Sequence, residues 1–311
     1  MAGVKPGEAL RAAVGVGCSA RMALKRSHRH SHAREHKKTL RLQQESLALT
    51  GGARPLDCFA IIRTSTVTMR TTPPQLKVDV WRGNEEGSFQ RFDVPRMESQ
   101  TVLDVVIHIQ RHLDATLSYR FACRVGMCGS CAMTVNGRAR WTCRTHVTKV
   151  MKHAGGVLEI APLNHLPVIK DLATDMTAFF DKWRDAKGYF KGEHTRNEPA
   201  TCVDPASAER KAADAGIECI GCGVCYASCD VVAWNPDYLG PAALNRAWTL
   251  VNDVRDIQQQ TRVAAVSNDA GCHSCHTLGS CTERCPKSLQ PTASIAGLKR
   301  LRGHAPKGEP R

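Results

Sequence analysis

From Leu76 onward the apolar positions fall into two successive rhythms. Leu76, Val78 and Val80 alternate with Lys77, Asp79 and Trp81, and Phe92 and Val94 alternate with Arg91 and Asp93. A period of two predicts two half-buried strands, here joined as a hairpin through Gly83 to Gly87. At Ser99 the period lengthens. Val102, Leu103, Val106, Ile109 and Leu113 share one face at helical spacing, and Thr101 and Asp104 stand where a capping pair belongs. After a cysteine-rich stretch, Val157-Leu158-Glu159-Ile160 reads as a further strand. Beyond Pro167, Leu172, Met176, Phe179, Phe180 and Trp183 form an apolar helical stripe. Gly240-Pro241 opens another through Ala243, Leu244, Ala247, Leu250, Val251 and Val254. The pattern predicts an α+β domain over residues 69–165 and a mainly helical domain over 166–311.

Composition narrows the class. The chain has 311 residues, 42% of them apolar and 23% charged, which is the balance of about two globular domains. No apolar run approaches the roughly 18 to 20 residues of a membrane span; Val105-Val106-Ile107 is cut at once by His108. The net charge of +14 is uneven. Residues 1–68 hold 12 Lys/Arg against 4 Asp/Glu, a net +8, and residues 69–311 hold 31 against 25, a net +6. The basic stretch has no aromatic residue before Phe59 and no sustained periodicity, so disorder is expected there. An organellar transit peptide and a retained basic tail compete as readings of it with an over-extended start, translation beginning at Met69; the last is favoured, because Met69 directly precedes the first strand-like segment. A zinc-ribbon nucleic-acid binder would use basic charge, but interleaved aromatics are missing and charge is nearly balanced elsewhere. No nucleic-acid partner is expected.

The cysteines carry the chemistry. Fifteen of them, an odd number without a secretory pattern, point to soft-metal ligation rather than a disulfide framework. Cys123-x4-Cys128-x2-Cys131, followed by Cys143, has the plant-type ferredoxin spacing for a 2Fe-2S cluster. Gly126, Gly129 and Ser130 allow a tight loop whose backbone N–H groups turn toward the sulfurs. Zinc could use four thiolates too, but the x4-x2 loop is rarer among zinc knuckles.

Further on, a run is written twice. Cysteines 219, 222, 225 and 229 have gaps of 3, 3 and 4, and positions 275, 278, 281 and 285 repeat them at an offset of 56, except that position 278 is Leu278. In two-cluster ferredoxins the fourth cysteine of each run ligates the other cluster. Crossing the runs assigns Cys219, Cys222, Cys225 and Cys285 to a 4Fe-4S cluster. It leaves Cys229, Cys275 and Cys281, with an apolar side chain in the fourth place, for a 3Fe-4S cluster. Cys18, Cys58 and Cys202 are read as having no metal role. Cys272 could restore a fourth ligand but is out of register, and the C-x-x-C-H string at Cys272 to His276 would take Cys275 from its cluster.

Four segments carry a family resemblance. They are Cys123-Arg-Val-Gly-Met-Cys-Gly-Ser-Cys131, Glu218-Cys-Ile-Gly-Cys-Gly-Val-Cys-Tyr-Ala-Ser-Cys229, Asn235-Pro-Asp-Tyr-Leu-Gly-Pro-Ala-Ala243 and Cys281-Thr-Glu-Arg-Cys-Pro-Lys-Ser-Leu-Gln-Pro291. From about Leu76 to Lys299 the chain resembles the iron-sulfur subunit of succinate dehydrogenase and quinol:fumarate reductase. The resemblance implies a plant-type ferredoxin-like (β-grasp) domain, then a mainly helical bacterial-ferredoxin-like domain. It also implies a flavoprotein catalytic subunit carrying FAD, membrane anchor subunits, and quinone as electron partner. The implied route is flavin, 2Fe-2S, 4Fe-4S, 3Fe-4S, quinone, with the dicarboxylate site on the partner. Such a subunit lies peripherally on the cytoplasmic face of a bacterial inner membrane, or on the matrix side of the mitochondrial one if the N-terminus is a transit peptide. At the quinone end the match loosens. Family members often carry proline, serine and tryptophans after the fourth cysteine, and here the segment is Asp230-Val231-Val232-Ala233-Trp234. The resemblance assigns Trp234, His276 and Lys299 to the quinone site; a core role, a bond to sulfur or backbone, and a solvated surface are their ordinary alternatives. An iron-sulfur subunit of another flavin dehydrogenase, or a free-standing carrier, would keep the same ligands.

Overall fold

The computed structural model describes residues 74–152, 156–194 and 197–302. The readings made of residues 1–68 lie outside them. The alternating segments pair as expected: β1 (Gln75–Arg82) and β2 (Ser88–Pro95) are antiparallel, with Leu76 opposite Val94 and Val78 opposite Phe92. Three more strands, β3 (Ala132–Val135), β4 (Arg138–Trp141) and β5 (Val157–Ala161), complete a mixed sheet of order β2-β1-β5-β3-β4. Strand β5 runs parallel to β1, so the chain must cross over between them, and the crossover contains helix α1 (Val102–His108). Thr101 caps α1 with a reciprocal box: its hydroxyl accepts from the Asp104 N–H, and the Asp104 carboxylate accepts from the Thr101 N–H. The apolar face of α1 closes a core with Val78, Val80, Val94, Leu158 and Ile160. Such burial is the main favourable term in folding.

Three helices are shorter than their apolar spacing predicts. A wide turn over Ile109–Leu113 follows α1 and leaves Leu113 exposed. Helix α3 spans only Thr177–Asp185, so Leu172 and Met176 precede it; Leu172 lies between the short strands β6 (Val168–Lys170) and β7 (Ala173–Thr174) and packs into the sheet's core. Within α3 itself, Phe179 is buried and Phe180 is exposed. Val254 lies beyond the end of α7 (Gly240–Val251), exposed. In each case the apolar spacing runs past the end of the helix that forms, a boundary that a window of periodicity does not see.

The second half is helical: α4 (Ala208–Ile217), α5 (Val224–Ala227), α6 (Asp230–Trp234), α7, α8 (Gln259–Val266), α9 (Ser280–Glu283) and α10 (Pro291–Arg302), with α2 (Val147–Met151) belonging to the sheet half. Helix α7 is central, packing against α10, α4 and α8. The core around it also takes in Ala132, Ala139, Leu163 and Leu166 from the sheet half. Arg262 and Asp256, both fully buried, form an ion pair of 2.9 Å that also binds the carbonyls of Lys187 and Tyr189, pinning the connecting segment. Burial opposes the Asp256 charge, but donors from Arg262 and the N–H groups of Gln258 and Lys191 outweigh it, and the carboxyl stays below its ordinary range. Among the described residues no helix is long and apolar enough to cross a membrane.

Candidate iron-sulfur centres

The loop between Cys123 and Cys131 wraps tightly because Arg124, Gly126 and Gly129 all have positive φ. This turns N–H groups inward: those of Met127 and Cys128 reach the Cys123 sulfur at 3.2 and 3.3 Å. Backbone donors, Met127 first and then Val125 and Cys128, hold the Cys123 thiol down to about 6. Cys131 and Cys143 are the buried side of the group, packed with Leu103 and Ile107 of α1. Burial, with the nearby Cys131 and Cys123, pushes the Cys143 thiol up to about 12. The four predicted cysteines thus stand together, two on the surface side of a loop and two on its core side.

The repeat in the second half is visible in the backbone. Gly223 and Gly279, 56 positions apart, both adopt the left-handed conformation (φ 77° and 82°) immediately before the one-turn helices α5 and α9. Two cavities result. Cys219, Cys222, Cys225 and Cys285 line one, with Ile220, Ala242 and Leu289 among its walls. Cys229, Cys275 and Cys281 line the other, beside Leu278. Cys285 comes from the second run and Cys229 from the first, so the fourth position of each run lies in the other run's cavity. The cavities adjoin, since Cys225 is close enough to Cys281 to feel its charge. Burial pushes Cys222 up to about 12 and Cys225 well up, in each case reinforced by neighbouring cysteines.

The donor chemistry of these groups fits iron-sulfur clusters. Among the described residues no three His, Cys, Asp or Glu side chains converge tightly enough for a single metal ion. A cluster spreads its thiolates around a core of several atoms, which is how one cavity comes to be lined by four separate sulfurs.

Other predicted residues fall at the margins. Trp234, at the end of α6, is 69% exposed; Leu278 is 55% exposed and lines the three-cysteine cavity. His276 lines that cavity and is exposed. Lys299 turns inward, and its ammonium donates to the Cys275 carbonyl at 2.6 Å. Cys272 is fully buried and Cys202 exposed. Sequence reasoning passed over Thr292, whose hydroxyl lies 3.3 Å from the Cys281 sulfur, and gave Tyr238 no role, although this buried phenol lines the same cavity. No spacing rule marks either, because both reach the cysteines through tertiary packing.

Comparison with known proteins agrees with this architecture. Residues 75–181 match the family described as a 2Fe-2S iron-sulfur cluster binding domain, and residues 218–290 match the 4Fe-4S dicluster domain. The mitochondrial succinate dehydrogenase [ubiquinone] iron-sulfur subunit 1 of Oryza sativa subsp. japonica is 37% identical over 201 residues, 64% of this chain and 70% of that protein. A chain in the structure of the Mycobacterium smegmatis Sdh1 complex in the apo form superposes with a TM-score of 0.67 at 25% identity, covering 76% of this chain and all of that one. With both cluster domains in order and most of a curated relative spanned, the chain belongs to the family of succinate dehydrogenase iron-sulfur subunits and is an electron-transfer subunit of an oxidoreductase complex.

Proposed function

We propose that the chain conducts electrons between a flavoprotein subunit carrying FAD and a membrane quinone, through three centres held as the cysteine spacing predicts. The 2Fe-2S ligands are Cys123, Cys128, Cys131 and Cys143; the 4Fe-4S ligands are Cys219, Cys222, Cys225 and Cys285; the 3Fe-4S ligands are Cys229, Cys275 and Cys281. When bound, such clusters supply one-electron carriers, which lets a two-electron flavin be drained in single steps. The observation that carries this reading is the partition of seven cysteines between two adjoining cavities, four and three, with Leu278 at the edge of the second.

Each residue group then has a task. The N–H groups around Cys123 stabilise thiolate charge at the surface, where exposed Val125 and Met127 offer an apolar face to the flavoprotein. Gly129 brings that loop against Cys222, joining the two halves. At the far end, exposed Trp234, Leu278 and His276 face the anchor subunits and the quinone, while Lys299 braces Cys275 from within. The subunit lies peripherally on the inner face of its membrane, with the 69–165 half toward the flavoprotein and the 166–311 half toward the anchor.

Leu278→Cys tests the register. Supplying the missing thiolate is expected to convert the three-iron centre toward 4Fe-4S, removing its oxidised-state EPR signal and lowering its potential as an anionic ligand is added. An unchanged oxidised-state signal, with the substitution confirmed and iron supplied, would refute the assignment.

A further inference from the structure

We propose that Thr292 and Tyr238 are positioning residues that raise the reduction potential of the centre held by Cys229, Cys275 and Cys281, each by directing a hydroxyl hydrogen at one of its thiolates. The inference rests on the three-iron reading above and adds to it what sets that centre apart from its neighbour.

The geometry fixes the direction of the Thr292 bond. Thr292 Oγ1 stands 3.3 Å from Cys281 Sγ and 2.9 Å from Thr282 Oγ1, and the Thr292 N–H reaches Thr282 Oγ1 at 3.2 Å. A metal-ligating thiolate has no hydrogen and can only accept. Thr292 must then donate to the sulfur, and its oxygen is left to accept from Thr282. Two threonines, one on α9 and one at the start of α10, thus form a relay that ends on a ligand.

Tyr238 comes from the segment just before α7. It is 1% exposed and lines the cavity together with the three cysteines. A buried phenol needs a hydrogen-bond partner, and the Cys275 thiolate takes that place. Its loop is held to the Cys275 segment by Leu239 N–H to the Ala270 carbonyl at 2.7 Å and by Asn235 Nδ2 to Ser274 Oγ at 3.2 Å. The four-cysteine cavity offers no counterpart: among the described residues its walls contain no hydroxyl side chain. A hydrogen bond to sulfur favours the more negative, reduced form of a cluster and so raises its potential. The two centres of the helical half are thereby separated by their surroundings as well as by ligand number.

The test is a redox titration of the assembled complex in membranes, followed by the oxidised-state 3Fe EPR signal. Thr292→Val and Tyr238→Phe keep the shape and remove the hydroxyl. At the wild-type midpoint, the reduced-to-oxidised ratio in each variant is expected to fall roughly threefold or more, while the other two centres keep their midpoints. Thr292→Ser, which retains the donor, is expected to titrate like wild type. Unchanged midpoints in both variants, or a parallel fall in the four-cysteine centre, would overturn the inference. A wild-type complex without any oxidised-state 3Fe signal would overturn the ligand reading, and this inference with it.

Discussion

The cysteine loop of the sheet half and the first run of the helical half hold sulfur in opposite ways. In the loop, Cys123 and Cys128 are at or near the surface, and backbone N–H groups lower the Cys123 thiol to about 6. In the run, Cys225 is buried and Cys222 half-buried, and burial drives both thiols up, Cys222 to about 12. Only Cys143 in the sheet half resembles them. The loop can therefore carry negative sulfur by its own backbone, whereas the run depends on metal to neutralise charge in its interior. We therefore expect folding of the helical half to be linked to cluster insertion, as in other small metal-stabilised domains, and folding of the sheet half, with its core behind the loop, to be less so.

The largest effect is expected from breaking this contrast at single cysteines. Cys225→Ser removes a proposed 4Fe-4S ligand from the helical core and leaves a cavity lined by the remaining thiols. Loss of the 4Fe-4S signal should be accompanied by fast amide exchange across α5, α7 and α10. Cys128→Ser, at the exposed end of the loop, should alter the 2Fe-2S spectrum while β1 to β5 stay protected. Equal protection of both halves in the two variants, measured by hydrogen-exchange mass spectrometry, would remove the asymmetry argued above.

A smaller effect sharpens the comparison at the point where the two loops touch. A Cβ on Gly129 would meet Cys222 Cβ at 2.8 Å, Cys222 Cα at 2.9 Å and the Ile220 carbonyl at 3.0 Å. Gly137 has a similar positive φ but open space around its Cβ position. Gly137→Ala therefore measures left-handed strain alone, about 1–2 kcal/mol. Gly129→Ala adds a clash between two backbones that cannot yield independently, so it should cost more stability than Gly137→Ala. It should also weaken the magnetic interaction between the 2Fe-2S centre and its neighbour. If the two alanine variants melt alike and show the same relaxation enhancement in EPR, the contact is not what sets the spacing of the centres.

How much of this could be read from the chain differs in the same two regions. The strands and the hairpin were legible because Leu76, Val78 and Val80 face a single core at period two. The cysteine groups were legible because each run of cysteines is local and the repeat is arithmetical. Helices α5 and α9 were not, since four residues are too short for any helical period; they are fixed by Gly223 and Gly279 and by the cysteines they carry. Lys299 shows what a family analogy leaves out. Its position in the chain suggests a quinone-facing cation, and its bond to the Cys275 carbonyl arises from the way α10 packs, which no local pattern encodes.

The smallest predicted effect concerns the support behind the exposed loop. The Asp104 carboxylate accepts from the Thr101 N–H and hydroxyl and pairs with Arg124 at 3.1 Å, so one side chain ties the start of α1 to the residue after Cys123. Burial opposes its charge, but these donors prevail and hold the carboxyl below its ordinary range. Thr101→Ala removes the cap, and should cost about 1 kcal/mol. Because Asp104 and Arg124 remain, the loop should keep its place. The expected outcome is a melting temperature lowered by a few degrees with an unchanged 2Fe-2S spectrum. A shift in that spectrum would mean that the cap also orients the cluster loop, and that the sheet half is less independent of its metal than the contrast with the helical half implies.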